Sequence, residues 1–128
     1  MEHREFLFRG KRVDNGEWFE GFYAKSGEKT YIIYDNDIAV GYVSMKEVIS
    51  ETIGQYTGLT DKNGKKIFEG DILLDRFNEE NCSIVYDEGG FDIYEDNISW
   101  HCQDCKMSNF EIIGNIHDNP ELLKGGEG

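Results

Sequence analysis

Phe6-Leu7-Phe8, then Asp14-Asn15-Gly16, then Trp18-Phe19-Glu20-Gly21-Phe22-Tyr23 is the stretch on which the fold class turns. Two aromatic-bearing runs flank an Asn-Gly step, and both Asn and Gly tolerate the positive φ that a type I′ hairpin turn requires. The expectation is a β-hairpin. On its second arm the alternation of a strand puts Trp18 and Phe22 on one face and Phe19 and Tyr23 on the other, which predicts that both faces are covered.

The same texture continues outward. The chain has fifteen Gly, one Pro, two Trp, seven Tyr and eight Phe. Its apolar residues fall in short runs bounded by Gly, Asn and Asp, as strands and turns require. Strands are expected over Tyr31–Tyr34 and Ile38–Val43, joined across Asp35-Asn36-Asp37. Met45–Ile53 fits a strand or a short helix, and its β-branched Val48, Ile49, Thr52 and Ile53 favour the strand. A second turn at Asp61-Lys62-Asn63-Gly64 leads into Lys65–Leu74, and both turns are followed by an aromatic and a Glu-Gly step.

Further strands are expected at Ser83–Tyr86, Phe91–Tyr94, Ile98–Trp100 and Phe110–Ile116. Asn119 and Pro120 suit the start of one helical turn. The fold class is therefore mostly β: small barrel modules or a rolled antiparallel sheet, with a short C-terminal helical turn. Residues 1–124 are expected to form a single compact unit, and the repeated turn construction allows two β-modules, about 1–58 and 59–124. Gly125-Gly126-Glu127-Gly128 reads as a disordered tail.

The 128 residues can bury roughly two-thirds of the surface of the unfolded chain, enough for a core without disulfides. Three cysteines, Cys82, Cys102 and Cys105, make an odd count, and Met1–Glu5 carries neither the basic stretch nor the apolar run of a secretory signal. A reducing cytoplasm is the expected compartment. No apolar run approaches the roughly 20 residues of a membrane helix, so no membrane association is expected. The formal net charge is −13, and ten acids against one base, Arg76, fall between Glu69 and Asp96. Such a field repels phosphate backbones and disfavours direct nucleic-acid binding.

His101-Cys102-Gln103-Asp104-Cys105 is the strongest chemical candidate, because two thiolates spaced Cys-x-x-Cys reach one metal ion and His101 adjoins them. A tetrahedral zinc site needs four ligands, and with no second Cys pair Cys82 and a histidine, His117 or His101, would have to complete it from a distance. Incidental cysteines are the simpler reading. Asp61-Lys62-Asn63-Gly64 resembles the start of a calcium loop, but Lys65, Lys66 and Ile67 stand where further acids belong. Glu69-Gly70-Asp71 offers paired carboxylates, yet a Gly-Asp step before an apolar strand reads as a bend with a capping side chain. No catalytic residue and no cofactor is expected. Trp18, Phe19, Phe22, Tyr23, Tyr31 and Tyr34 suggest a base-stacking platform, but only Arg9, Lys11 and Arg12 lie near them, so packing in a core or an interface is the better account.

Three stretches carry a family resemblance: Phe8–Trp18 with its Asp14-Asn15-Gly16, Ile53–Ile72 with Gly54-Gln55-Tyr56-Thr57-Gly58-Leu59 and Phe68-Glu69-Gly70-Asp71, and Ile113–Leu123 with Gly114-Asn115-Ile116-His117-Asp118. The chain resembles the YopX-like family of bacteriophage and prophage proteins. The resemblance implies a mostly-β fold with SH3-like barrel modules, made in a bacterial host cell, and brings no catalytic residues. Residues 78–109, with all three cysteines, lie outside the matching motifs. Three functional classes remain in view: a non-enzymatic protein-interaction or assembly module contacting a protein partner or a second copy of itself, an acidic decoy that mimics nucleic acid to occupy a host protein, and a zinc-binding protein.

Overall fold

The structure, a computed structural model, describes residues 7–37, 41–77, 79–87, 90–95, 98–101 and 109–124. Its Cα packing divides the chain into two compact units, Met1–Tyr56 and Thr57–Gly128. Both are built from antiparallel strands.

In the first unit β1 (Phe8–Lys11), β2 (Trp18–Ser26), β3 (Lys29–Asp37) and β4 (Tyr42–Val48) form a meander. β5 (Gly54–Thr60) begins beside β1, with Phe8 opposite Gln55, and carries the chain into the second unit. The sheet curls. Val13 N–H donates to Glu47 O at 3.1 Å and Ile49 N–H to Lys11 O at 2.8 Å, on either side of an Arg12–Val48 bridge. These bonds tie the end of β1 to the end of β4 at one corner. The result is a rolled sheet, and no closed barrel forms among the described residues.

Thr30, Ile32 and Val48 are buried on the inner side of the roll. Gly10 permits this packing, because a Cβ there would sit 2.9 Å from Val48 Cγ2 and 3.1 Å from Ile53 Cδ1. A single 3-10 turn at Ser50–Thr52 is pinned beneath it: Thr52 Oγ1 accepts Lys11 N–H at 2.9 Å, and the hydroxyls of Thr30 and Ser50 lie 2.6 Å apart.

In the second unit β6 (Lys66–Phe68), β7 (Asp71–Asp75), β8 (Glu80–Asp87), β9 (Gly90–Glu95), β10 (Ile98–His101) and β11 (Phe110–Asn115) follow β5. Five of them form a sheet in the order β10-β9-β8-β7-β11. Cross-strand pairs Leu73–Cys82, Ile84–Ile93 and Leu73–Ile112 put one face into an apolar cluster with Ile67 and Phe110. A 3-10 turn at Pro120–Lys124 closes the described chain, and Asn81 Nδ2 holds it by donating to Leu122 O at 2.8 Å.

Several local expectations need correction. Gly16 has φ +77° but Asn15 stays at negative φ, so the first turn is not type I′. Asn15 Oδ1 instead accepts Glu17 N–H at 2.9 Å, a side-chain turn that replaces the left-handed backbone. Asp35, Asn36 and Asp37 continue β3 and pair with Ser44, Val43 and Tyr42, with a register shift between Ile33 and Asp35. Residues 38–40, part of the strand expected over Ile38–Val43, lie outside the described residues, as does the tail 125–128. The stretch from Met45 is strand only as far as Val48.

Candidate interaction surface

Cross-strand register sets the side chains on the outer face of the roll. Phe22 lies opposite Ile33, and Ile33 opposite Met45, so one apolar row crosses β2, β3 and β4. Ala24, Tyr31 and Glu47 form the next row. Phe22 is 57% exposed, Met45 44% and the neighbouring Val43 48%. Side chains directly opposite one another are close enough to act as one surface, which separates this row from apolar residues scattered singly. Full coverage of both faces, expected from alternation, does not occur: Phe22 and Tyr23 are adjacent on β2 and both are exposed.

Aromatic pairs lie on the opposite face of β2, that of Phe19 and Tyr23. Phe19 meets Tyr34 edge-to-face with centroids 5.0 Å apart, and Phe8 meets Tyr23 at 5.4 Å. The nearby arginines are directed at these rings: Arg9 lies 4.8 Å from the Trp18 centroid and Arg12 4.9 Å from that of Phe19. Arg12 also grips Asp14 through two hydrogen bonds of 2.9 and 2.6 Å. That paired hydrogen bond raises the guanidinium pKa and lowers that of the Asp14 carboxyl. Arg12 therefore meets an acid before it meets any phosphate.

The second unit uses its carboxylates differently. Asp61 is buried, with Oδ1 accepting Asn63 N–H at 2.8 Å and Lys65 N–H at 3.0 Å while Oδ2 accepts Ile112 N–H at 3.0 Å. Burial pushes its pKa up, but those amides of Ile112, Lys65 and Asn63, with the Lys65 charge, prevail and hold it below the usual carboxylate range. Both oxygens are turned to backbone donors, which is a structural clasp and not a calcium loop. At Glu69-Gly70-Asp71, Gly70 has φ +94° and Asp71 Oδ2 accepts Phe68 N–H at 2.7 Å, the geometry of a capped bend. Asp75 likewise accepts Phe77 N–H at 2.9 Å.

The family model for YopX protein matches residues 7–124. The chain belongs to the YopX family. This YopX-family chain is also similar to a solved structure, the crystal structure of protein EF1440 from Enterococcus faecalis, at 24% identity over 94% of this chain and 99% of that one, with a TM-score of 0.61. That likeness concerns the fold. A comparison with curated proteins finds no match.

Of the three cysteines of this YopX-family chain, Cys82 alone is among the described residues. Cys82 is buried in the apolar cluster and donates to Leu73 O at 3.4 Å. His101 ends β10 opposite Asp92, which lies opposite Val85 on β8. Strand spacing and rise then put the Cα atoms of His101 and Cys82 about 14 Å apart, too far to share one metal ion. Cys102 and Cys105 lie outside the described residues. His117 lies beside Gly70, its Nε2 3.8 Å from the place of a Cβ there. Among the described residues no three His, Cys, Asp or Glu form a metal-holding group.

The row Phe22–Ile33–Met45 escaped sequence reasoning. Alternation fixes which β2 residues share a face but not which face is outward, and Asp35–Asp37 misled on where β3 ends. The Asp61 clasp had a partial signal in Asp61 at the head of its turn, while its partner Ile112 is 51 residues away.

Proposed function

We propose that this YopX-family chain is a non-enzymatic protein-interaction or assembly module, made from a phage or prophage genome in the bacterial cytoplasm. The observation that carries the reading is the apolar row Phe22–Ile33–Met45 on a strand framework, with Phe22 and Met45 exposed and Ile33 half-buried between them. Aromatic side chains lose little conformational entropy on binding, and aromatic and Met side chains are both enriched in interface cores. The buried carboxylates support the same reading, since Asp61, Asp71 and Asp75 are engaged with backbone amides and not poised as acid or base.

The decoy reading is less well supported. Of the ten acids between Glu69 and Asp96, Asp71, Asp75 and Asp92 are buried, so the charge available to a partner is smaller than the sequence suggests. The test is affinity capture from bacterial cells with the wild-type chain and with Phe22→Thr/Met45→Thr. Partners, including untagged copies of the chain, are expected to be lost from the variant. Equal recovery by a folded variant would sink the proposal.

A further inference from the structure

β4 ends its sheet, and the hydrogen bond from Val13 N–H to Glu47 O fixes the phase of its free edge. Glu47 directs its backbone groups away from β3, so by alternation Met45 and Val43 do the same. Those outward groups are not hydrogen-bonded to any described residue. Met45 and Val43 are also the exposed ones among the described side chains of this strand. A free edge with apolar side chains is a template for strand addition.

Resting on the interaction-module reading, we propose that β4 pairs antiparallel with β4 of a second copy, across a two-fold axis at Ser44. The free backbone groups select this register. With Ser44 opposite Ser44 of the second copy, Val43 faces Met45 and Met45 faces Val43. Both are hydrogen-bonded pairs, which use the outward amides and carbonyls of both residues. Centring the axis on Met45 would instead set Val43 against Glu47, whose carbonyl already accepts from Val13. The chosen register extends Phe22–Ile33–Met45 into Val43 of the second copy, covering two exposed residues on each side.

Charge favours this edge for self-pairing. Residues 1–56 carry ten acids and seven bases, a balance of −3, whereas residues 57–128 carry sixteen acids and six bases, a balance of −10. Pairing through β10 would bring together two copies of the more acidic unit. β4 contains one Lys and one Glu, and in the chosen register Lys46 faces Tyr42 and Glu47 faces Gly41, so no like charges meet.

The test combines light scattering with cross-linking. The purified chain is expected to pass from one copy to two as its concentration rises, and Met45→Lys to weaken that dimer by at least tenfold. Ser44→Cys is expected to link to itself under mild oxidation, since non-hydrogen-bonded pairs hold Cα atoms about 4.5 Å apart, within disulfide reach. Lys25→Cys is the exposed control, and peptide mapping separates new links from Cys82, Cys102 and Cys105. A monomer up to millimolar concentration would overturn the pairing, as would a dimer that Met45→Lys leaves intact or that links at position 25 and not at 44. Capture of another protein through Phe22 by a strictly monomeric chain would retire the pairing while leaving the interaction module standing.

Discussion

β2 in the first unit and β7 in the second are both interior strands of antiparallel sheets, and they differ in what their two faces meet. On β2, adjacent residues Phe22 and Tyr23 are 57% and 41% exposed, one on each face. On β7, adjacent residues Ile72 and Leu73 are both 0% exposed. Both strands present bulky apolar side chains, yet β7 uses its pair to build a core and β2 leaves its pair at the surface. A fold of this size can carry such exposure because the second unit has an enclosed core of its own. Apolar side chains that do not fold the chain are available to bind something else.

Substitutions at four positions would break or sharpen this contrast. Leu73→Ala has the largest expected effect, a loss of about 4 kcal/mol, because it removes a fully enclosed side chain and leaves a cavity. A chemical-denaturation midpoint reads it directly. Asp61→Ala is expected to cost about 3 kcal/mol, since it strands the amides of Asn63, Lys65 and Ile112. Its pH dependence has a defined sign. The folded-state pKa of Asp61 is lowered, so its contribution is complete above the unfolded value, about 3.9, and fades as pH falls through the lower folded value. Stability measured against pH across the acidic range should lose this slope in Asp61→Asn.

Gly21→Ala probes whether the first unit is well packed in spite of its exposed aromatics. A Cβ at position 21 would lie 2.1 Å from Ile33 O, so the backbone must move, at about 2 kcal/mol. A neutral result would mean that β2 and β3 are more loosely joined than their register implies. The smallest effect is expected from Phe22→Thr, a good strand former that removes only the exposed ring, with stability changed by roughly 0.5 kcal/mol or less. A large loss there would make Phe22 a folding residue and erase the difference between the units.

Much of the strand pattern was legible in the sequence, because alternation and turn residues are local. The opening hairpin and the mostly-β class followed from Asn15-Gly16 and its flanking aromatics. Turn details were not legible, since Asn15 uses its own side chain to accept Glu17 N–H and needs no positive φ. Asp35-Asn36-Asp37 has turn composition, yet pairing with Ser44, Val43 and Tyr42 holds it extended. Tertiary hydrogen bonds outweigh local preference there. The candidate surface was half visible: aromatic excess was plain, but the row depends on two cross-strand registers, which a single strand's alternation does not encode. The Asp61 clasp joins positions 61 and 112 and likewise has no local signature.

Site-specific photo-cross-linking in bacterial cells tests the central claim most directly. A photoreactive residue would replace exposed Phe22 in one version and exposed Glu121 in another. The expected result is a discrete protein adduct, to a partner or to a second copy of the chain, from position 22 and none from position 121. No adduct at position 22 in a folded chain, or equal adducts from both positions, would contradict the assignment of the first unit's outer face as the interaction surface.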